Sequence, residues 1–93
     1  MITGTCEVKL RIYGAKSLKE KRHIVKSIIG KLKSRFNISI AETDSNDLWQ
    51  SSIIGFACVS NKTAHVNEVI SKVVRFIEGD TRVEIIDYNM EIF

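Results

Sequence analysis

Apolar and polar side chains alternate from the start of the chain. Between Ile2 and Ile12, Cys6, Val8, Leu10 and Ile12 point one way and Glu7, Lys9 and Arg11 the other. A period of two predicts a strand with one buried face and one wet face. The period then lengthens. Ile24, Val25, Ile28, Ile29, Leu32 and Phe36 recur every three or four residues and predict an amphipathic helix over Leu18–Phe36. Ser17 and Glu20 stand at its start as a capping box, each able to satisfy a free backbone N–H of the first turn.

The period of two returns at Ile38–Thr43 and at Trp49–Ser60, with "TDSND" supplying turn residues between them. The second of these strands is apolar on both faces, Ile53, Gly55, Ala57 and Val59 against Ile54, Phe56 and Cys58. Such a strand is central, or its second face is covered by another subunit. A second helix follows over Thr63–Glu78, with Val66, Val69, Ile70, Val73, Val74 and Ile77 on one face and Gly79 placed to end it. A last strand over Arg82–Phe93 sets Ile86, Tyr88, Met90 and Ile92 opposite Asp87, Asn89 and Glu91.

The order is βαββαβ. The economical α+β solution is a ferredoxin-like sandwich, a four-stranded antiparallel sheet with two helices on one face, forming a single domain over residues 1–93. It makes the first and last strands neighbours, so Glu7, Lys9 and Arg11 would face Asp87 and Glu91.

Composition adds little to this picture except limits. With 44% hydrophobic and 27% charged residues, the 93-residue chain should be globular. The start lacks a basic region followed by an apolar run, and the longest apolar run, Ile53–Val59, is too short for a membrane span. Cys6 and Cys58 stand far apart, outside any Cys-x-x-Cys pair, which suits a reduced, cytoplasmic protein. A disulfide between them is open if their strands are neighbours.

Charge changes the picture more. The chain's net charge is +3, but Lys16–Arg35 holds eight basic residues against Glu20 alone, a balance of +7 that leaves −4 for the remainder. Polarisation of this kind argues for an anionic partner. At 3.6 residues per turn, Lys19, Arg22, Lys26 and Lys33 lie along one side of the first helix, with Gly30 in the same row and His23 beside it. Lys21, Lys31 and Arg35 sit nearer the apolar margin, where long stems can cover the core edge and send their charges outward. Phosphates along RNA match such a track, and Gly30 would let a backbone approach closely. A solvated face built from good helix formers accounts for the same lysines, though such faces usually carry both signs.

"GAKS" at Gly14–Ser17 sets Lys16 beside the helix start, where a phosphate could bind, but the glycine spacing is not that of a P-loop. The sole tryptophan, Trp49, can stack on a base or close the end of the core. No nucleophile motif appears, His23 and His65 stand alone, and Glu42 and Asp44 share a strand face without a histidine. The metal-carrier Cys-x-x-Cys loop and the glycine-rich, arginine-bearing loop of small acylphosphatases are both missing. The chain therefore reads as a non-enzyme, with no catalytic residue, cofactor or metal site to assign.

"SLKEKR" at Ser17–Arg22, "FNISIAE" at Phe36–Glu42, "DLWQ" at Asp47–Gln50 and "IGFA" at Ile54–Ala57 together resemble the YlxP-like family of small bacterial proteins over essentially the whole chain. The resemblance implies a ferredoxin-like fold. The family is catalogued as a domain of unknown function. Its genes commonly lie among translation and ribosome-maturation genes, which points to ribosomal RNA or ribosomal subunits as partners. The family often carries a basic residue after the Trp-Gln pair, where this chain has Ser51.

The expectation from sequence is therefore an RNA-binding accessory protein of the ribosome or its assembly. Lys19, Arg22, Lys26 and Lys33 would hold phosphates, with Lys16, Lys21 and Trp49 assisting. The alternative is a dimeric interaction or regulatory module that uses the open, apolar sheet face.

Overall fold

The computed structural model describes residues 1–44 and 48–93. Its elements follow the order expected: β1 (Ile2–Ile12), α1 (Leu18–Arg35), β2 (Ser39–Asp44), β3 (Ser51–Ser60), α2 (Thr63–Glu78) and β4 (Val83–Ile92). The four strands form one antiparallel sheet in the order β2-β3-β1-β4, the ferredoxin-like topology. Of the expected turn "TDSND", Thr43 and Asp44 close β2 and residues 45–47 lie outside the described ones.

The apolar rows meet in one core. Cys6, Val8, Leu10 and Ile12 from β1 join Ile54, Phe56 and Cys58 from β3, Ile24, Val25, Ile28 and Leu32 from α1, and Val66, Ile70, Val73, Val74 and Ile77 from α2. Each large aliphatic side chain buried this way contributes about 1.5–3 kcal/mol before the entropy of ordering it. Helix α2 presses closely on β1. A methyl group placed on Gly4 would stand 2.3 Å from Val66 Cγ1, so only glycine lets the helix lie this near the strand.

The charged rows of β1 and β4 pair as the topology requires. Lys9 is in register with Asp87 and Arg11 with Glu84, the Arg11 guanidinium lying 3.8 Å from the Glu84 carboxylate. Glu91 falls opposite Thr5. A register shift between Lys9 and Leu10 corrects the simple alternation read for β4. Ile85 aligns with Leu10 on the core side, while Ile86 is skipped in the register and left exposed. Tyr88 and Met90 keep the parity of Val8 and Cys6 but stand on the outer strand and remain partly exposed. Gly79 does end α2, with a right-handed backbone of φ −76° and ψ −9°. The termination therefore does not draw on glycine's left-handed freedom.

The turn before β4 is fixed to α1. The Arg82 guanidinium forms two hydrogen bonds to the Asp80 carboxylate, at 2.7 and 3.0 Å, and reaches Ser27 Oγ at 3.3 Å. Cys6 and Cys58 are buried as free thiols on the core side of adjacent strands, and Cys6 pairs in register with Phe56, not with Cys58. No helix among the described residues is long and apolar enough to cross a membrane.

Candidate nucleic-acid interface

The start of α1 shows how the basic row is set. Ser17 Oγ accepts a hydrogen bond from the Glu20 N–H at 3.2 Å, and the Glu20 carboxylate accepts one from the Lys16 N–H at 2.5 Å. The reciprocal arm of the cap thus reaches one residue further back than the usual capping box. Two consequences follow. The only acid of the basic segment is turned toward the cap, and the Lys16 N–H, one of the donors a phosphate at "GAKS" would use, is already bonded to it.

Lys19, Arg22, Lys26 and Lys33 project from the helix face opposite the core, and all four are exposed, as is Lys16. None of the five forms an ion pair among the described residues. From Lys19 to Lys33 the row extends about 21 Å at 1.5 Å per residue. Gly30 lies within it with open space around its Cα, since an added methyl group would meet nothing within 4 Å.

Three other cations of the segment are withdrawn from this row. The Arg35 guanidinium lies over the Phe76 ring at 4.8 Å, bracing α1 against α2. Lys31 borders the Asp80 turn and helps hold the Asp80 carboxyl below its ordinary range, though hydrogen bonding from Arg82 is the larger cause. Lys21 requires a correction. Expected to send its charge outward and to assist phosphate binding, it is instead 0% exposed. Its ammonium points under the sheet, 2.5 Å from the Glu42 carboxylate. The same Glu42 oxygen accepts the hydroxyl of Ser52, also fully buried. A buried charge is tolerated only where it is paired and hydrogen-bonded, and this cluster supplies both. Lys21 is therefore a bracket between α1, β2 and β3.

Trp49 is 41% exposed and precedes β3. The carbonyl of its neighbour Gln50 accepts the Ile12 N–H at 2.9 Å, while the Tyr13 N–H donates to the Arg82 carbonyl at 2.9 Å. The first of these bonds joins the end of β1 to the approach to β3 beside a depression of about 570 Å³. Its walls include Arg11, Tyr13, Leu48, Trp49, Gln50 and Ser51, with the buried Ile12 and Ala15 at its base. Ala15 directly precedes Lys16, so the depression and the basic row are contiguous along the chain.

On the open sheet face, Ile53, Ala57 and Val59 form an apolar strip along β3. The row beside it on β1 carries Glu7, Lys9 and Arg11, and Glu7 accepts a hydrogen bond from Thr43 at 3.0 Å. A dimer through this face would have to bury those polar groups with the strip.

Residues 3–90 match the model of a family described as a protein of unknown function, DUF503. The chain belongs to this family. It is 36% identical over 81 residues to the uncharacterized protein YlxP of Bacillus subtilis (strain 168), covering 87% of this chain and 88% of that one. Among solved structures, a de novo designed protein with a ferredoxin fold, LFR1 1, superposes with a TM-score of 0.58 at 17% identity, covering 100% of this chain and 84% of the design. Another design, Foldit4, gives 0.54 at 12% identity over 98% of this chain and 96% of its own. These likenesses concern the fold. In this chain "SLKEKR" divides in two: Lys19 and Arg22 face solvent, while Ser17, Glu20 and Lys21 cap the helix and pin it to Glu42.

Proposed function

We propose that this DUF503 protein binds RNA in the cytoplasm, as an accessory of the ribosome or its assembly, by holding phosphates along α1. The observation that supports this reading is the row of Lys16, Lys19, Arg22, Lys26 and Lys33, exposed and with no ion pair to any of their side-chain cations among the described residues. A merely solvated helix would draw stabilisation from interleaved acids at i,i+4 spacing, as Lys72 does with Glu68 at 2.7 Å on α2. Helix α1 forgoes that and presents one sign. Ribosomal RNA as the target is carried over from the family resemblance.

The test is co-sedimentation with ribosomal subunits at two salt concentrations. The wild type is compared with a variant in which Lys19, Arg22, Lys26 and Lys33 are all changed to Glu. Phosphate contacts release counterions, with a log–log salt slope of roughly −0.7 to −0.9 per contact. The reading expects binding that weakens steeply with salt and vanishes in the variant. Salt-independent binding, binding kept by the variant, or no binding by either protein would each remove it.

A further inference from the structure

We infer that the depression beside Trp49 takes one unpaired nucleobase, so that the ligand of the α1 row is single-stranded RNA, or RNA with an unstacked base, and not a continuous duplex. The inference rests on the RNA-binding reading and specifies its ligand.

Two aromatic rings line the depression, and both present surface to solvent: Trp49 at 41% and Tyr13 at 58%. The Tyr13 ring is held by a side-chain contact, and Trp49 is placed through the backbone beside it. The Tyr13 hydroxyl donates to Glu84 at 2.6 Å, and Trp49 is carried next to Gln50, whose carbonyl is bonded to β1. A ring held as Tyr13 is loses little freedom when a flat partner stacks on it.

Charge separates the two halves of the surface. Arg11 lines the depression, but its guanidinium lies 3.8 Å from Glu84, so this corner carries a balanced pair. A phosphate gains little there. A neutral, flat ring gains from stacking on Trp49 and Tyr13, from the Arg11 plane and from the Gln50 amide, which can meet its edge. The unbalanced cations begin immediately afterwards, at Lys16 and Lys19. Bases therefore suit the depression and phosphates the row that follows it along the chain, the two kinds of contact a single strand offers. A duplex hides its base faces by stacking and would offer only phosphates.

Trp49 is the only tryptophan in the chain, so intrinsic fluorescence reports this site alone. The experiment titrates the full-length protein at low salt with three probes: a single-stranded oligoribonucleotide, a duplex of equal length, and inorganic polyphosphate. Trp49 fluorescence is followed for every probe and label anisotropy for the two RNAs. The expected result is quenching by the single strand and none by polyphosphate or duplex. Trp49→Ala should weaken the single strand by about fivefold to a hundredfold and leave the duplex unchanged. Trp49→Phe, which keeps a ring, should recover most of the loss, and circular dichroism establishes that each variant is folded.

If the single strand binds through the α1 row yet leaves Trp49 fluorescence and the Trp49→Ala affinity unchanged, the base site is overturned while phosphate binding stands. Equal quenching by duplex also overturns it. If none of the probes binds, the RNA-binding reading falls and takes this inference with it.

Discussion

Lys21 and Glu42 form an ion pair 2.5 Å long across the α1–β2 junction, with the lysine side chain wholly buried and the glutamate side chain 17% exposed. Removing one member strands the other in a poor solvent for charge. Lys21→Ala is expected to destabilise the fold by about 3 kcal/mol, near the lower end for such pairs because Glu42 retains some access to water. Urea denaturation measures this. Lys21→Met combined with Glu42→Gln should recover much of the loss, and a Lys21→Ala result within about 1 kcal/mol of wild type would contradict the bracket.

Two glycines should respond oppositely to alanine. At Gly4 the new methyl would press on Val66 Cγ1, and Gly4→Ala is expected to cost about 1–3 kcal/mol through overpacking. At Gly30 it would meet open space within a helix, and Gly30→Ala should stabilise by about 0.5–1 kcal/mol. Melting curves separate them, since about 1 kcal/mol moves the midpoint by about 4–8 °C in a domain of this size. If RNA lies close to α1 at Gly30, the stabilised variant should also bind it less tightly.

The buried thiols carry an alkaline signature. Desolvation, aided by the nearby Glu7 carboxylate, pushes the Cys6 thiol up to about 11, and burial raises Cys58 as well. A folded value above the unfolded one means the native state keeps its proton longer. The Cys6 contribution is thus whole below the ordinary value of 9.0 and is lost as pH climbs toward about 11. Cys6→Val should flatten this limb of a stability-versus-pH curve. At pH 8 a thiol reagent should label the native protein slowly and the urea-unfolded chain quickly.

At the acid end the relevant group is Asp80. Hydrogen bonding from the Arg82 guanidinium, reinforced by the Arg82 N–H and by Lys31, holds its carboxyl below the ordinary range. Its stabilising effect is present above the unfolded carboxylate value and disappears as pH falls through the lower folded value. Asp80→Asn should therefore lower stability at neutral pH while making the decline through and below the ordinary carboxylate range shallower. Equilibrium unfolding across that range is the measurement.

The sheet order, both helices and the exposed cations were legible because periodicity and charge are local properties. Lys21 was not placed correctly because its partners come from other elements. A signal was available, however. Lys21 shares the core-facing side of α1 with Val25, Ile28 and Leu32, Glu42 shares the parity of Ile40 on β2, and Ser52 that of Ile54 on β3. Three polar residues at core-facing positions of three elements predict a buried cluster. The Ile85–Ile86 exchange had no comparable signal. Both are isoleucine, and the register shift that selects Ile85 arises from how β4 pairs with β1. Trp49 stands out in the sequence as the sole tryptophan, but Arg11 and Tyr13 become its neighbours only when β1 and the approach to β3 are bonded together.

The charge polarity also governs how the molecule meets any polyanion. Helix α1 lies toward the β2 edge of the sheet, and β4, with Glu84, Asp87 and Glu91, forms the far edge. On the RNA-binding reading, the unbalanced cations of α1 would turn the molecule as it drifts, presenting that helix before contact. Orientation of this kind widens the set of productive collisions. Besides holding phosphates, the row would then speed the formation of complexes, and that rate would rise as ionic strength falls. How long they last would depend on short-range contacts, those of the row included, which a Debye length of about 8 Å at physiological salt screens far less than the approach.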